Sequence, residues 1–582
     1  MKKTLVIVES PSKAKTIQKY LGAGFTVCPS YGHMVDLAKG GKFGIGIDLL
    51  NNLTPKYVLM DDKKQQFDNI IAAAEDCDQI YLAGDPDREG EGISKHIGDR
   101  LEALGKPIRR VEFNEITKAA IQKAIAAPRD INMNLFKAQQ ARRILDRLVG
   151  FMVSPFLMNV FGQTMSAGRV QSVAVRMIAD RENEIKGFNS KEYWNVLADC
   201  ESPAGEKFRV KYNNTLTNKT DTDALLKKIQ GQPFTVDQVI RKPKKENPPP
   251  PLTTLMLQQL MAKKHGFSAE QTMAAAQVCY ESGYTTYIRT DSVRMSDDAV
   301  KAIRQFIGTQ NYTVPKIPVV HETKQSAADS HEAIRCTNVT TDPQTCMLSG
   351  DDKLVYEMVW RYSVASQMEQ AVFDTLEVRV LCAGETFRVS GKTLSTKGFY
   401  EVLGLPAKDK NDIPNLTVGD VVKLLKVTPE QKFTQPPPRY TEANLINELD
   451  KRQIGRPSTM ATILKNINSR NYVTKNGNTY HPTDLGLKIT SMLNKSFGFV
   501  DYNYSAEMEA NLDKIAAGEA DYDKIMSEFF NLFSTELKKA ITSENKIGCN
   551  RCSGIMIERQ GSRGKFLACS GCRNSQSIEE VS

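Results

Sequence analysis

This 582-residue sequence has no long apolar run. Its opening, MKKTLVIVES, places only four apolar residues between two lysines and Glu9. A secretory core needs roughly 7 to 15, so this start reads as a buried first strand. The most apolar later stretch, Leu148 to Phe161, is interrupted by Ser154, Pro155 and Asn159. It is also shorter than the ~20 residues of a membrane span. A disulfide framework is missing too, because seven of the eleven cysteines are scattered singly and four cluster near the C-terminus. These absences predict a cytoplasmic protein. Charge of one sign is scarce: 77 basic against 68 acidic residues leave a formal +9. That modest excess admits a phosphate-backbone partner without demanding one. No ATP loop is present either. GETFRVSGKT holds Gly391, Lys392 and Thr393, but Gly384 lies at the wrong spacing for a phosphate-cradling loop.

The composition, 41% hydrophobic and 25% charged, is that of a globular protein. Its length exceeds one hydrophobic core, so several domains are expected. The first 130 residues alternate strand and helix. A strand over Lys3 to Val8 ends in Glu9, and Ser10-Pro11 then starts a helix through Tyr20. A second buried strand, Gln79 to Ala83, runs into Gly84-Asp85. This pattern predicts a parallel sheet with ligands at the carboxyl ends of its strands. From about Asn132 to Glu184 the sequence looks helical. Proline runs at 247–252 and 434–440 mark boundaries, and each precedes a helix, a short turn, a helix and a strand. After the second, Asn476-Gly477 predicts a hairpin, giving a helix-turn-helix with a wing. Segments 189–246 and 371–432 alternate Val, Thr, Tyr and Phe between glycine turns, which predicts one β-rich domain built from two pieces.

Glu9 closes one predicted strand, and Asp85, Asp87 and Glu89 follow another in GDPDREGEG. Four hard oxygen donors at strand ends suit magnesium, although D-x-D-x-E alone is more often a solvated loop capping a helix. With Ser10-Pro11-Ser12-Lys13 behind Glu9, the set resembles the Toprim domain of topoisomerases, primases and some nucleases. VIVESPSKAKTI and GDPDREGEG match the type IA DNA topoisomerase version almost letter for letter.

The string YESGYTTYIRTDSV, 280–293, resembles the active-site signature of the same family, which makes Tyr287 the nucleophile and Arg289 its phosphate-binding partner. The chemistry is consistent with this. Forming phenolate at pH 7 from a phenol of pKa near 10 costs about 4 kcal/mol, so a nearby cation must offset that cost. On a strand, residues 287 and 289 would share a face. Tyr280, Tyr284 and Tyr287, each taken alone, read equally well as core aromatics, and it is the match of the whole string that favours the functional reading. The resemblance further implies His331, in SHEAIR, as a second phosphate contact, and Glu281 as the acidic residue six before the nucleophile. It implies that Lys13 stabilises transition-state charge, and that Glu9 exchanges a proton with the leaving 3′-oxygen.

ARRILDRLVGF and SAGRVQSVAVRM resemble the family's single-strand-binding helices. They supply Arg142, Arg143 and Asp146, then Ser166, Ala167, Gly168, Arg169, Val170 and Gln171. Arg142 and Asp146 are four apart and share a helix face, which an ordinary surface ion pair would also explain. Arg456, Ser458 and Thr459 in IGRPSTMA, with His33 in SYGHMVDL and Asp291 in RTDSV, complete the implied DNA contacts. GRPST is the bacterial topoisomerase I form. Ala38 stands where the family usually carries proline.

Cys549-x-x-Cys552 and, sixteen residues on, Cys569-x-x-Cys572 have zinc-ribbon spacing. Six basic residues against Glu558 alone between Lys546 and Arg573 fit single-stranded DNA, and a protein contact is the alternative.

The expected fold is therefore multidomain α/β and α+β: an N-terminal Toprim domain, helical winged-helix-like domains and a β-rich domain forming a toroidal clamp, plus a C-terminal zinc ribbon. The expected boundaries are 1–131 for Toprim, with an insert near 37–60, 132–188 for the first helical part and 189–247 for the first β-rich part. The nucleophile domain follows at 248–370, the second β-rich part at 371–432, the second helical part at 433–545 and the ribbon at 546–582. The resemblance implies ATP-independent relaxation of negatively supercoiled DNA by transient single-strand cleavage, 5′-phosphotyrosine formation, strand passage and religation. It implies Mg2+ and structural Zn2+, a monomer associated with the bacterial nucleoid or a plasmid, and no membrane partner. A primase or nuclease on the same domain would lack the Tyr287 string. A non-catalytic single-strand binder would not need intact Glu9, Asp85, Asp87, Tyr287 and Arg289. The lack of a helicase half sets reverse gyrase aside.

Overall fold

The computed structural model describes residues 3–40, 44–322, 332–405 and 413–543, together with 549, 551, 554–561, 564–569, 571–572 and 574–577. Strand Thr4–Val8 is buried at every position. It lies in a four-stranded sheet ordered Phe25–Pro29, Thr4–Val8, Gln79–Leu82, Ile108–Arg110, with every pairing parallel. Side chains alternate across the sheet. Leu5, Ile7, Ile80 and Leu82 enter one core, whereas Val6, Val8, Tyr81 and Ala83 enter another. Both faces are thus covered, as a parallel sheet requires. The second core is shared with Leu257, Tyr280, Tyr287 and Ile288, so the segment bearing Tyr287 packs with this face of the sheet.

The insert forms two short antiparallel pairs, Val35–Leu37 with Tyr57–Leu59 and Ile47–Asp48 with Thr54–Pro55. Ala38 donates its amide to the Lys56 carbonyl at 2.8 Å, a bond that proline could not make.

The apolar stretch ending at Phe161 is part of one 29-residue helix, Met133–Phe161, which runs through Pro155. By length and composition this helix could cross a membrane. Here it is a core element: Leu148, Val149, Val153, Phe156 and Leu157 are fully buried in the cluster that also holds Phe499, Phe529 and Phe533. The helix Arg169–Lys186 follows.

Strands Glu192–Glu201, Lys207–Tyr212 and Phe234–Glu246 close into one barrel with Ala371–Cys382, Glu385–Thr396 and Val421–Phe433. Gly391, Lys392 and Thr393 sit within this barrel, paired with Leu376, Thr375 and Asp374. They do not form the loop before a helix that would cradle phosphate.

After each proline run two helices follow, Thr254–His265 with Ala269–Glu281 and Glu442–Lys451 with Pro457–Ser469. The second pair carries the expected wing, Val473–Asn476 against Thr479–Pro482. Its turn centres on Gly477-Asn478, one residue later than read from sequence, and Gly477 supplies the positive φ of 58°. The first pair has no regular strand after it. Thr285 and Thr286 make only isolated bridges, to Cys336 and Glu115.

Candidate active site and nucleic-acid groove

Ser10 caps the helix Pro11–Leu21 by accepting the Lys13 amide, and this fixes Lys13 in the first turn, 1% exposed. Its ammonium is ion-paired with Asp85 and lies 5.0 Å from the centre of the Tyr280 ring. Glu9 accepts the Asp85 amide at 2.7 Å. Asp87 is the N-cap of helix Arg88–Leu101 and accepts the Gly90 amide at 2.8 Å. Glycine is required at position 90, since a Cβ there would stand 2.2 Å from the Asp85 carbonyl.

Glu9, Asp85 and Asp87 thus converge where two strands end. Burial, and then the charge of Asp85, raise the Glu9 carboxyl to about 7. Burial likewise raises Asp85, against the pull of Lys13. Burial also works to raise Asp87, but Arg289, the Tyr287 hydroxyl and the Gly90 amide outweigh it and hold the group below the usual carboxylate range. These neighbouring carboxylates raise one another's pKa and are the hard oxygen donors a divalent cation takes, although among the described residues no three carboxylate oxygens lie within 4.8 Å of one another.

Glu89 turns elsewhere. It contacts His33 Nε2 at 3.1 Å and accepts from Gln139 at 3.2 Å. Glu89 and His33 line an adjoining cavity of about 230 Å³ beside Asp36, Gln139, Arg142 and Arg143.

The Tyr287 hydroxyl donates to Asp87 Oδ2 at 2.5 Å, and Arg289 Nη1 reaches the same oxygen at 3.3 Å. These residues lie in an irregular segment, not on the strand expected from sequence. Their shared face comes from a different restraint. The Tyr287 amide donates to the Asn114 carbonyl at 2.7 Å, Thr286 bridges Glu115, and Arg335 pairs with Glu115 at 2.9 Å. Gly283, at φ 80°, lets the chain pass close to the Ile116 carbonyl, which a Cβ would approach to 2.6 Å. Tyr287 is 4% exposed, and burial followed by the Asp87 charge pushes its phenol well above the ordinary value. Glu281 accepts from Gln277 at 2.9 Å. His331 lies outside the described residues.

Arg142, 7% exposed, reaches Thr459 and Glu509 at 3.5 Å. It does not pair with Asp146, which instead accepts from Arg169 at 3.2 Å. Arg143 and Arg147 both bind Asp36. Gly168 caps the Arg169–Lys186 helix. Ser166 and Ala167 are pinned through their backbones, by Tyr472 and by Ser154. Val170 is buried, and the Gln171 amide nitrogen has no hydrogen-bond partner among the described residues. Arg456 caps the helix Pro457–Ser469, and its amide donates to Thr459 Oγ1 at 3.2 Å. The side chain of Ser458 lies outside the described set. Asp291 contributes to the field at Arg456.

Sequence reading passed over Glu509, Asp513, Arg88, Asn114 and Arg335. A usable signal existed for the first: Glu509 sits among Ser505, Met508 and Leu512 on the buried face of helix Tyr502–Ala517, where a charge needs a partner.

Near the C-terminus the sulfurs of Cys549, Cys569 and Cys572 lie within 4.8 Å of one another, and Cys549 is 3.6 Å from Cys572. A tetrahedron of Zn–S bonds near 2.3 Å has edges of about 3.8 Å, so the spacing fits a thiolate metal site. Amides of Arg551 and Gly571 point at the Cys549 and Cys569 sulfurs. Burial opposes ionisation of Cys549, but the Arg551 amide and the neighbouring sulfurs lower it to about 6. Cys552 is outside the described residues.

A carboxylate trio on a parallel sheet, facing a tyrosine on a separate segment, is the arrangement of a Toprim enzyme, and a Toprim domain model matches residues 4–116. A DNA topoisomerase model matches residues 130–527. The chain belongs to the bacterial DNA topoisomerase family and is a type IA topoisomerase. It is 38% identical to DNA topoisomerase 1 of Pseudomonas aeruginosa over 98% of this chain and 72% of that protein. The structure of full-length topoisomerase I from Thermotoga maritima is similar, with a TM-score of 0.81 and 31% identity, covering 99% of this chain and 97% of that one. The family changes DNA topology by strand cleavage and passage, and its Toprim domain implies a divalent metal.

Proposed function

We propose that this chain relaxes negatively supercoiled DNA without ATP, by cutting one strand with Tyr287. The observation that carries this reading is the Tyr287 hydroxyl held 2.5 Å from Asp87 beside Arg289. The phenol oxygen attacks phosphorus as its proton passes to Asp87, its hydrogen-bond partner, a 5′-phosphotyrosine bond forms, and the bond to the 3′-oxygen breaks. Glu9, raised to about 7, is divided between its protonated and ionised forms at neutral pH, and its protonated form delivers a proton to that oxygen. Arg289 lowers the cost of phenolate and neutralises the phosphorane, with His331 as a second phosphate contact. Lys13, buried against Asp85, adds positive charge beneath the site. Asp85 and Asp87, with Glu9 in its ionised form, would hold Mg2+, which would supply charge neutralisation at the phosphate.

Single-stranded DNA lies along His33, Arg142, Arg143, Arg169, Gln171, Arg456 and Thr459. Another strand passes through the break, and superhelical strain drives net relaxation because the ester exchange roughly preserves bond energy. The four cysteines hold Zn2+. The protein acts as a cytoplasmic monomer, divided at the boundaries given above. The test is to mix the chain with end-labelled single-stranded DNA and Mg2+, then quench with detergent. Covalent protein on the 5′ side of the break is expected, and free ends alone would indicate a nuclease.

A further inference from the structure

Glu509 faces a row of arginines drawn from separate parts of the chain. Arg169 donates to its Oε1 at 2.7 Å, Arg142 approaches its Oε2 to 3.4 Å, and Arg456 lies 4.0 Å from the same oxygen. Asp513, one turn along the same helix face, binds Arg456 and accepts from Arg88 at 2.7 Å. Asp146 completes the set on Arg169. Glu509 is fully buried and Arg169 is 1% exposed.

Guanidinium cannot shed its charge, so arginines gathered in a dry site repel unless carboxylates separate them. Four guanidiniums against three carboxylates leave one positive charge, the complement of a single phosphodiester. Two donors also remain over: Arg169 Nη2 and Arg88 Nη1 are buried without a hydrogen-bond partner among the described residues. Asp146 and Glu509 take two of the Arg169 nitrogens and leave the third, Nη2, without a partner among the described residues.

We infer that Glu509 is the positioning residue of the phosphate-binding arginine row, fixing Arg142, Arg169 and Arg456 so that one DNA phosphate docks in register with Tyr287. This rests on the reading of that row as the DNA groove. Glu509 touches neither DNA nor the reacting atoms, so its loss separates binding from cleavage. Glu509→Gln keeps the shape and removes the charge. Single-stranded oligonucleotide affinity should then become more salt-dependent, the slope against log salt steepening by about 0.7. Cleavage at saturating oligonucleotide should fall on the order of 10- to 100-fold, the scale of a misplaced substrate.

Glu509→Asp restores the charge and should recover both readouts. Parent-like slope and cleavage in Glu509→Gln would overturn the inference. So would a parallel loss of affinity, cleavage and melting temperature in both variants, which is what simple packing predicts. Should Glu509→Gln fail to fold, Asp513→Asn reads the same charge from a side chain 32% exposed, and an unchanged slope there overturns the inference. Arg169→Ala is run beside them. If it leaves affinity intact, the groove itself is misassigned and the inference falls with it.

Discussion

Tyr287 and Asp87, 200 residues apart in sequence, share a 2.5 Å hydrogen bond. One stands on an irregular segment after a helix, and the other caps a helix behind a parallel sheet. The bond holds the phenol in its protonated, buried form, which under the proposed function is the resting state of the nucleophile. A phosphate arriving at Arg289 competes for the charge that Asp87 now satisfies.

Tyr287→Phe removes only the attacking oxygen. Oligonucleotide binding should stay within about twofold while the detergent-stable adduct disappears, a loss of one reacting atom without loss of packing. Tyr284, whose ring packs on Tyr356 and whose hydroxyl accepts the Met347 amide, is the control. Tyr284→Phe should still trap labelled DNA, and loss of trapping there alone would reassign the nucleophile.

Replacing Asp85 and Asp87 together with Ala should abolish Mg2+-dependent plasmid relaxation. Either single change should be milder, because water and phosphate oxygens complete a magnesium shell. Asp85→Ala also strips Lys13 of its buried partner, so its melting temperature should drop more than that of Asp87→Ala. Relaxation by the double variant at ordinary magnesium would remove the metal from this site.

His96 is 6% exposed between the rings of Tyr57 and Phe136, at 4.1 and 5.4 Å. Burial, reinforced by His33, lowers it from 6.5 to about 4. The fold therefore holds the neutral ring. Its stabilising effect is complete above pH 6.5 and is lost as pH falls toward 4, amounting to about 3 kcal/mol. Glu9, raised to about 7, works with the opposite sign over part of that window. The measurement is therefore a difference: urea unfolding against pH for the parent and for His96→Gln. Parent-minus-variant stability should shrink as pH falls from 6.5 to 4.5, because only the parent loses the His96 contribution, and equal slopes would show that His96 does not titrate on unfolding.

Ile555, in the cysteine-bearing segment, is 2% exposed and belongs to the same core as Phe529 and Phe533. Withdrawing the metal with a zinc-selective chelator should loosen that contact, worth about 1.5 to 3 kcal/mol for one buried side chain. A lower melting temperature is expected for the chelated chain and for truncation after Lys546. Cleavage by Tyr287, far along the chain, should persist below the transition. Unchanged melting would mean that the ribbon is merely tethered.

The convergence of Glu9, Asp85 and Asp87 could be read from sequence because parallel strands deliver their carboxyl ends to one edge. Glu89 could not, for a geometric reason. Asp87 is the helix cap, and a residue two further on points about 200° around the axis, toward Gln139. Tyr287 and Arg289 were legible as a pair, but the restraint that brings them together is a bridge to Asn114 and Glu115, which no local pattern encodes. The arginines of the groove were found and their carboxylates were not. Cations on polar strings invite attention, whereas Glu509 is hidden in the apolar face of a helix 53 residues downstream of Arg456 in a different element.

The contact of Thr286 and Tyr287 with Asn114 and Glu115 is made by main-chain atoms. It works as an index mark. If Tyr287 carries the cut strand, as proposed, remaking this one bridge when the opened protein shuts would return the severed end to the same place whatever bases it bears, and fidelity of resealing would belong to the peptide backbone.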